Sequence, residues 1–377
     1  MTVYLDCAAT TPVEPRILEE VVRYLGVDFG NAGSRSHEYG LKARRVVEQA
    51  RDQVAAVGAC SRGEVIFTSG ATESNNLTLL GLAEHGLATG KTHLISTQIE
   101  HPAVLEPLHS LAKRGFKLTL LAPNAGGFVE PQALREALRD DTLLVSVMHV
   151  NNETGVVQPL FELGEVLAGH PAFFHVDGAQ GFGKDIPALQ NPRIDLISIS
   201  GHKIYAPKGI GALIMRRRAG QLPPLAPLMF GGGQERGLRP GTLPVPMIAG
   251  LGKAAEIALV ESKPRAKKCE AFRRQLLRGL EPLQPVFNGD QSRTLPSIVN
   301  LSIPGLDAES VLEAWADLVA ISTGSACTSQ SQTCSHVLSA MKVPAAQIEG
   351  ALRLSWSHMT EMPDTAQMAR AVQLLLC

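Results

Sequence analysis

Short runs of uninterrupted apolar residues alternate along this chain with stretches whose apolar positions recur every three or four residues. The first pattern marks strands buried on both faces, the second helices with one buried side. Strands are expected at Val65 to Thr68, His93 to Ser96, Leu118 to Ala122, Leu143 to Val150, Phe173 to Val176, Leu196 to Ser200 and Gly211 to Met215. A helix is expected over Arg44 to Val57, where Val46, Val47, Ala50, Val54 and Val57 share one stripe. This alternation predicts an α/β fold, a large mixed or parallel sheet covered by helices. From Gly220 to Met247 proline and glycine take over, as in Gly231-Gly232-Gly233, which reads as a long irregular connection. Beyond it, helical segments from Ile248 to about Leu259 and from Phe272 to Leu280, a strand at Ile298 to Ser302 and a helix at Ala308 to Leu318 predict a second, smaller α+β domain.

Polar residues punctuate the ends of the expected strands, where open α/β sheets bind ligands. Lys203 follows the strand that ends at Ser200. A lysine held there, partly desolvated, is able to form a Schiff base with a carbonyl compound, most commonly pyridoxal phosphate, or it is simply a solvated surface group. Ser200 and His202 flank it and are candidates for the phosphate and ring. After Thr68 comes Ser69-Gly70-Ala71-Thr72 and a helical run. Free backbone N–H groups at such a start suit a phosphate, or the serine and threonine are an ordinary helix cap. Asp177 ends the strand Phe173 to Val176 and would pair with a pyridinium nitrogen or cap the next helix. His101 and Asn152 end two more strands, the histidine as a ring-stacking or proton-relay group or a satisfied core residue. Besides the strand end that leads to Lys203, four more thus converge on one ligand.

Composition changes this picture little. Over 377 residues the chain is 45% hydrophobic and 19% charged with a formal net charge of −1, ordinary for a soluble enzyme and without the basic excess of a nucleic-acid binder. Arg216 to Arg218 and Lys263 to Lys268 are local basic clusters of the kind that line solvated faces. No leader-like start and no run of 18 apolar residues is present, so a cytoplasmic location without membrane contact is expected. Cys7, Cys60, Cys269, Cys327, Cys334 and Cys377 show neither disulfide nor metal-site spacing, so reduced thiols and no metal are expected. Cys327 lies among serine, threonine, glycine and glutamine, which predicts an exposed, mobile loop and a nucleophilic thiol. Cys334 is a second thiol seven residues on, without an assigned role.

Seven stretches carry a resemblance: YLDCAATTP (Tyr4 to Pro12), FTSGATESNN (Phe67 to Asn76), MHVNNETGVVQ (Met148 to Gln158), HVDGAQ (His175 to Gln180), SGHKIYAPKGIG (Ser200 to Gly211), GGGQERGLRPGTLP (Gly231 to Pro244) and STGSACTS (Ser322 to Ser329). In order and spacing they are similar to the group I cysteine desulfurases of the NifS and IscS type, including the Dnd-type branch that serves DNA phosphorothioation. The resemblance runs from the N-terminus to about Thr360. It implies the type I pyridoxal-phosphate fold in its aminotransferase class V form, as a homodimer, with residues 15–257 as a large cofactor domain. Residues 1–14 with 258–377 would form the small domain, carrying the cysteine loop at about 322–335.

The resemblance also assigns roles. Lys203 would hold the cofactor, His101 stack on its ring, Asp177 pair with the ring nitrogen and Gln180 bond its phenolic oxygen. Ala71, Thr72, Ser200 and His202 would hold the phosphate, and Thr242 would complete that site from the partner chain. Arg353 would bind the substrate carboxylate, though an ion-pair role is open to it as well, and Asn152 and Asn31 would orient the substrate. Cys327 would accept sulfur from L-cysteine as a persulfide, leaving L-alanine, and pass it to an acceptor protein for iron–sulfur assembly, tRNA thiolation or DNA phosphorothioation. Pro240, Trp356 and His358 depart from the family's usual residues. Competing readings are a selenocysteine lyase or related enzyme on the same cofactor, and a non-enzymatic sulfur or iron–sulfur carrier.

Overall fold

The computed structural model describes residues 2–323 and 334–376. Thirteen strands occur among them: β1 (Val3–Tyr4), β2 (Val65–Thr68), β3 (His93–Thr97), β4 (Lys117–Leu121), β5 (Thr142–Met148), β6 (Phe173–Asp177), β7 (Leu196–Ser200), β8 (Gly211–Met215), β9 (Val286–Phe287), β10 (Ile298–Ser302), β11 (Val319–Ala320), β12 (Ser322–Thr323) and β13 (Ala351–Ser355). Seven of them form one sheet in the order β2-β8-β7-β6-β5-β3-β4. β8 pairs antiparallel with both β2 and β7, and the other pairings are parallel, so the sheet is mixed, with β8 running against the other six. Strands β2, β3, β5, β7 and β8 are buried at every residue, which explains their unbroken apolar or small side chains. Their shared direction brings the carboxyl ends of β2, β3, β5, β6 and β7 to one edge.

Helices cover this sheet, among them Glu38–Val57, which buries Val47, Ala50, Val54 and Val57 and begins six residues earlier than its apolar stripe predicts. His37 caps it by accepting from the Gly40 N–H. A second, antiparallel sheet runs β12-β13-β10-β9, and β1 pairs with β11. It packs its own core around Trp315, Trp356, Leu352, Leu354 and Phe272, separate from the large core of Ile17, Val47, Phe67, Val147, Phe174 and Ile197.

One helix joins the two cores. Val245–Leu280 is continuous over 36 residues, about 54 Å, where the sequence suggested two separate segments. Pro264 lies inside it. Its missing N–H would have bonded the carbonyl of Val260, a residue 77% exposed, so water satisfies that oxygen and the helix continues. Val245 to Ile257 pack on the large core and Cys269 to Leu280 on the small one. The expected boundary between residues 257 and 258 falls within this helix.

Candidate active site

A cavity of about 520 Å³ opens at the carboxyl edge of the large sheet. Lys203 reaches it from the short turn Gly201–Lys203 that follows β7. Its Nζ donates to the carbonyls of Ala8 at 2.5 Å and Ala9 at 2.8 Å, so the N-terminal segment crosses the site. Asp177, the last residue of β6, is buried. Its Oδ2 accepts from Asn75 Nδ2 at 2.7 Å and its Oδ1 from the Ala179 N–H at 2.9 Å, which fixes the carboxylate plane.

His101 caps the helix Pro102–Lys113, its Nδ1 accepting from the Ala103 N–H at 3.1 Å. That bond requires an unprotonated Nδ1, and burial together with the Lys203 charge, against the pull of Asp177, lowers the imidazole pKa. The ring is therefore neutral, with its proton on Nε2. His202 is neutral for the same reasons: burial, then Lys203 and Lys208, push it down to about 4. Its Nδ1 lies 3.2 Å from Thr10 Oγ1.

Ala71 and Thr72 line the cavity at the start of the helix Ala71–Gly81, with Ser69, Gly70 and Ser200 beside them. First-turn amides point outward at a helix start and favour an anion. Gln180 donates from Nε2 to the Ala8 carbonyl at 2.8 Å, while its buried Oε1 has no hydrogen-bond partner among the described residues.

Arg353 enters from the small sheet. It is 1% exposed, and β13 pairs it with Asn300 on one side and Ser322 on the other. Nη1 donates to the Asn152 carbonyl at 3.0 Å, and Nη2 to Asp6 Oδ1 at 2.8 Å and Ser322 Oγ at 3.2 Å, leaving Nε without a partner among the described residues. Asn152 also lines the cavity. Past residue 333 the chain returns beside it: Ser335 donates to Glu153 at 2.5 Å and His336 Nε2 to the Glu100 carbonyl at 3.0 Å.

The structure thus gathers Ala71, Thr72, His101, Asn152, Asp177, Gln180, Ser200, His202, Lys203 and Arg353 around one space. Asn31 is not brought there: it is exposed, and its Oδ1 accepts from the Gly33 N–H at 2.8 Å, capping its own turn. Thr242 is exposed and lies outside this chain's cavity. Cys327 lies outside the described residues, whereas Cys334 is described and exposed.

Sequence reasoning missed Asn75, Asp6, Glu100 and the Ala8 and Ala9 carbonyls. Asn75 had a signal, one helical turn beyond Ala71 and so on the same face. Glu100 had none. It is fully buried, its Oε1 accepts from Thr97 Oγ1 at 2.9 Å and from the Met148 N–H at 2.8 Å, its Oε2 has no partner among the described residues, and burial pushes its pKa up to about 8.

Residues 3–367 match the aminotransferase class-V family. Cysteine desulfurase IscS of Salmonella arizonae is 43% identical over 363 residues, covering 96% of this chain and 89% of that protein. The crystal structure of DndA from Streptomyces lividans is 50% identical with a TM-score of 0.83, covering 94% of this chain and 99% of that one. The structure of SspA in complex with cysteine is 37% identical with a TM-score of 0.82, covering 94% and 98%.

Pyridoxal phosphate is the cofactor of these enzymes, and the donor set here fits it. A lysine amine, a buried carboxylate, a neutral histidine and an open helix start face one cavity, and the buried oxygens Asn75 Oδ1 and Gln180 Oε1 lack partners among the described residues. Motif order, fold and site together place the chain in the aminotransferase class-V family, among the group I cysteine desulfurases.

Proposed function

We propose that this chain takes the sulfur from L-cysteine, releases L-alanine and carries the sulfur as a persulfide on Cys327 to an acceptor protein. The observation that carries the reading is that Lys203, Asp177 and His101 from the large sheet meet Arg353 from the small sheet at one cavity. A substrate bound by its carboxylate to Arg353 would present its amine toward Lys203.

When bound, pyridoxal phosphate supplies an electron sink that makes the Cα proton of an attached amino acid acidic. Lys203 would hold the cofactor through Nζ and, once released by substrate, move the proton from Cα. Asp177, fixed by Asn75 and Ala179, would keep the ring nitrogen protonated, His101 would stack on the ring and Gln180 would reach its phenolic oxygen. Ala71, Thr72, Ser200 and His202 would hold the phosphate. Asn152 would orient the substrate beside Arg353.

The thiol's reach supports its role. Cys327 follows Ser322, which Arg353 holds at the site, by five residues, a span of up to about 17 Å. Its thiolate would attack the substrate sulfur. An S–S bond forms as the Cβ–Sγ bond breaks, the electron pair stays with the carbon, and Cβ takes a proton to become the methyl of alanine.

The dimer belongs to the same proposal. Thr242 is exposed, and Phe230 in the loop before it is 88% exposed, with Leu228 and Met229 also exposed. A second copy would cover these residues and receive Thr242. We also keep as proposals the division into a large and a small domain, and a cytoplasmic enzyme that serves a protein acceptor. No helix among the described residues is long and apolar enough to cross a membrane.

The test is purified protein with L-cysteine and a reducing thiol. Alanine and sulfide should appear in equal amounts without an added keto acid. Lys203→Ala should lose the cofactor's visible absorbance and turnover together, whereas Cys327→Ser should keep the colour and release no sulfide. Sulfide release by Cys327→Ser at the normal rate would show the nucleophile to be misassigned.

A further inference from the structure

The loop that ends at Thr242 is held from three directions by its own chain. Glu235, buried, accepts from both Nη atoms of Arg51 at 2.9 and 2.7 Å and from the Phe67 N–H of β2 at 2.6 Å. Glu235 and Arg236 have φ of 45° and 62°, a backbone region that L side chains resist, so these bonds hold a strained shape. Gln234 Oε1 accepts from the Gly241 N–H at 2.8 Å and closes the loop immediately before Thr242. The third tie is Arg239, whose Nε donates to Glu73 Oε1 at 2.9 Å.

Glu73 faces two ways. Its other oxygen, Oε2, accepts from the Ser69 N–H at 2.7 Å, and Ser69 opens the turn through Thr72 that lines the cavity. One carboxylate therefore touches the anion-binding turn on one side and Thr242's loop on the other. Burial favours its neutral form, but the hydrogen bonds from Ser69 and Arg239 outweigh that and hold it below the usual carboxylate range, so it is ionised. Thr242 itself is exposed and does not line the cavity of its own chain.

We infer that Glu73 and Arg239 are positioning residues that couple the two phosphate sites of a dimer: the pair ties the turn holding phosphate in one subunit to the loop delivering Thr242 to the other. The inference rests on the dimeric desulfurase reading above. A phosphate at the turn adds negative charge beside Glu73. Arg239, already seated on the far oxygen, offsets it and is drawn tighter, which stiffens the loop. By linkage, a phosphate bound against Thr242 in the partner favours the turn in this subunit equally.

The test titrates cofactor-free, full-length protein with pyridoxal phosphate and, separately, with pyridoxal, following absorbance, with sedimentation to read the oligomer. Arg239→Ala should remain dimeric, bind pyridoxal phosphate about 5-fold more weakly and bind pyridoxal as the wild type does, because the phosphate alone reads the coupling. Arg239→Lys should recover part of the loss, and Glu73→Gln should reproduce it. Mixed dimers separate the two arms. With Arg239→Ala in one chain and Lys203→Ala in the other, the visible site reports the loop's own turn. With both substitutions in one chain, the visible site reports the delivered Thr242. Both should weaken. A dimer in which either site binds pyridoxal phosphate normally, or in which pyridoxal weakens as much, overturns the coupling and leaves the desulfurase reading standing. A monomer that binds pyridoxal phosphate at full strength overturns the dimer and the coupling with it.

Discussion

Arg353→Lys keeps a positive charge at the site and removes the fork. In the native structure two Nη atoms serve three partners at 2.8 to 3.2 Å, and the residue is 1% exposed. An ammonium on the same stem is able to satisfy Asp6, but it cannot also reach the Asn152 carbonyl and present parallel N–H groups to a substrate carboxylate. A hydrogen bond to a charged group contributes about 1.5–3 kcal/mol, and about 1.4 kcal/mol is tenfold in affinity. Losing one such bond should raise KM for L-cysteine about 10- to 100-fold. Because the carboxylate is held alike in ground and transition states, kcat should fall much less. The fold should lose little: one lost charged hydrogen bond to the Asn152 carbonyl is worth about 1.5–3 kcal/mol. With roughly 2 cal/mol/K of unfolding entropy per residue over the 377-residue chain, Tm should drop about 2–4 °C. The assay is alanine formation against L-cysteine concentration, with a thermal melt of the same preparation. A KM within twofold of wild type, with kcat lowered instead, would refute the reasoning and make Arg353 a strut for Asp6.

Two further predictions follow from buried groups beside the site. Glu100 is held protonated by burial with a pKa of about 8, above its unfolded value of about 4.5, so the folded state binds more protons between those values and stability falls as pH rises through that window. Glu100→Gln keeps an acceptor for Thr97 and Met148 without the ionisation; its Tm relative to wild type should climb steadily from pH 5 to pH 8, and a flat difference would show that Glu100 is charged throughout. Asn75→Ala removes the 2.7 Å donor to Asp177 and should cost about 1.5–3 kcal/mol in cofactor retention, read as roughly 10-fold or faster loss of absorbance on dilution; retention equal to wild type would mean Ala179 alone positions the carboxylate.

The large sheet was legible because most of its strands are buried on both faces and so spell out continuous apolar runs, and because β2, β3, β6 and β7 each end in a polar residue. Strand direction was not legible. β8 is as apolar as its neighbours, and only the tight passage through Lys208 and Gly209 returns it antiparallel to β7. The small sheet was largely hidden. β9 and β12 are two residues long, too short for any alternation to register, and β13 offers a buried arginine where a strand core predicts an apolar residue. Arg353 was found through its motif, not through its element. Glu100 and Asn75 escaped for a different reason. Their partners, Met148 and Asp177, lie 48 and 102 residues away, and sequence spacing carries no information about which strand becomes a neighbour.

The distance between the two layers is bridged by the first dozen residues, and this explains why the site needs them. The Cys7 N–H donates to the Ser355 carbonyl and the Ala8 N–H to Ser355 Oγ, which fastens this segment to β13 two residues beyond Arg353. Asp6 then neutralises the guanidinium itself. Ala8 and Ala9 accept from Lys203, Ala8 also accepts from Gln180, and Thr11 accepts from the Tyr205 N–H and donates to the His202 carbonyl. Residues 6 to 11 therefore touch the substrate arginine at one end and the cofactor lysine's turn at the other. Neither sheet alone places a carboxylate-binding fork opposite an amine. A single strap, turned through residues 7 to 9, sets that separation, and where it holds Lys203 and Gln180 it does so through the backbone carbonyls of Ala8 and Ala9, whose chemistry side-chain identity does not reveal.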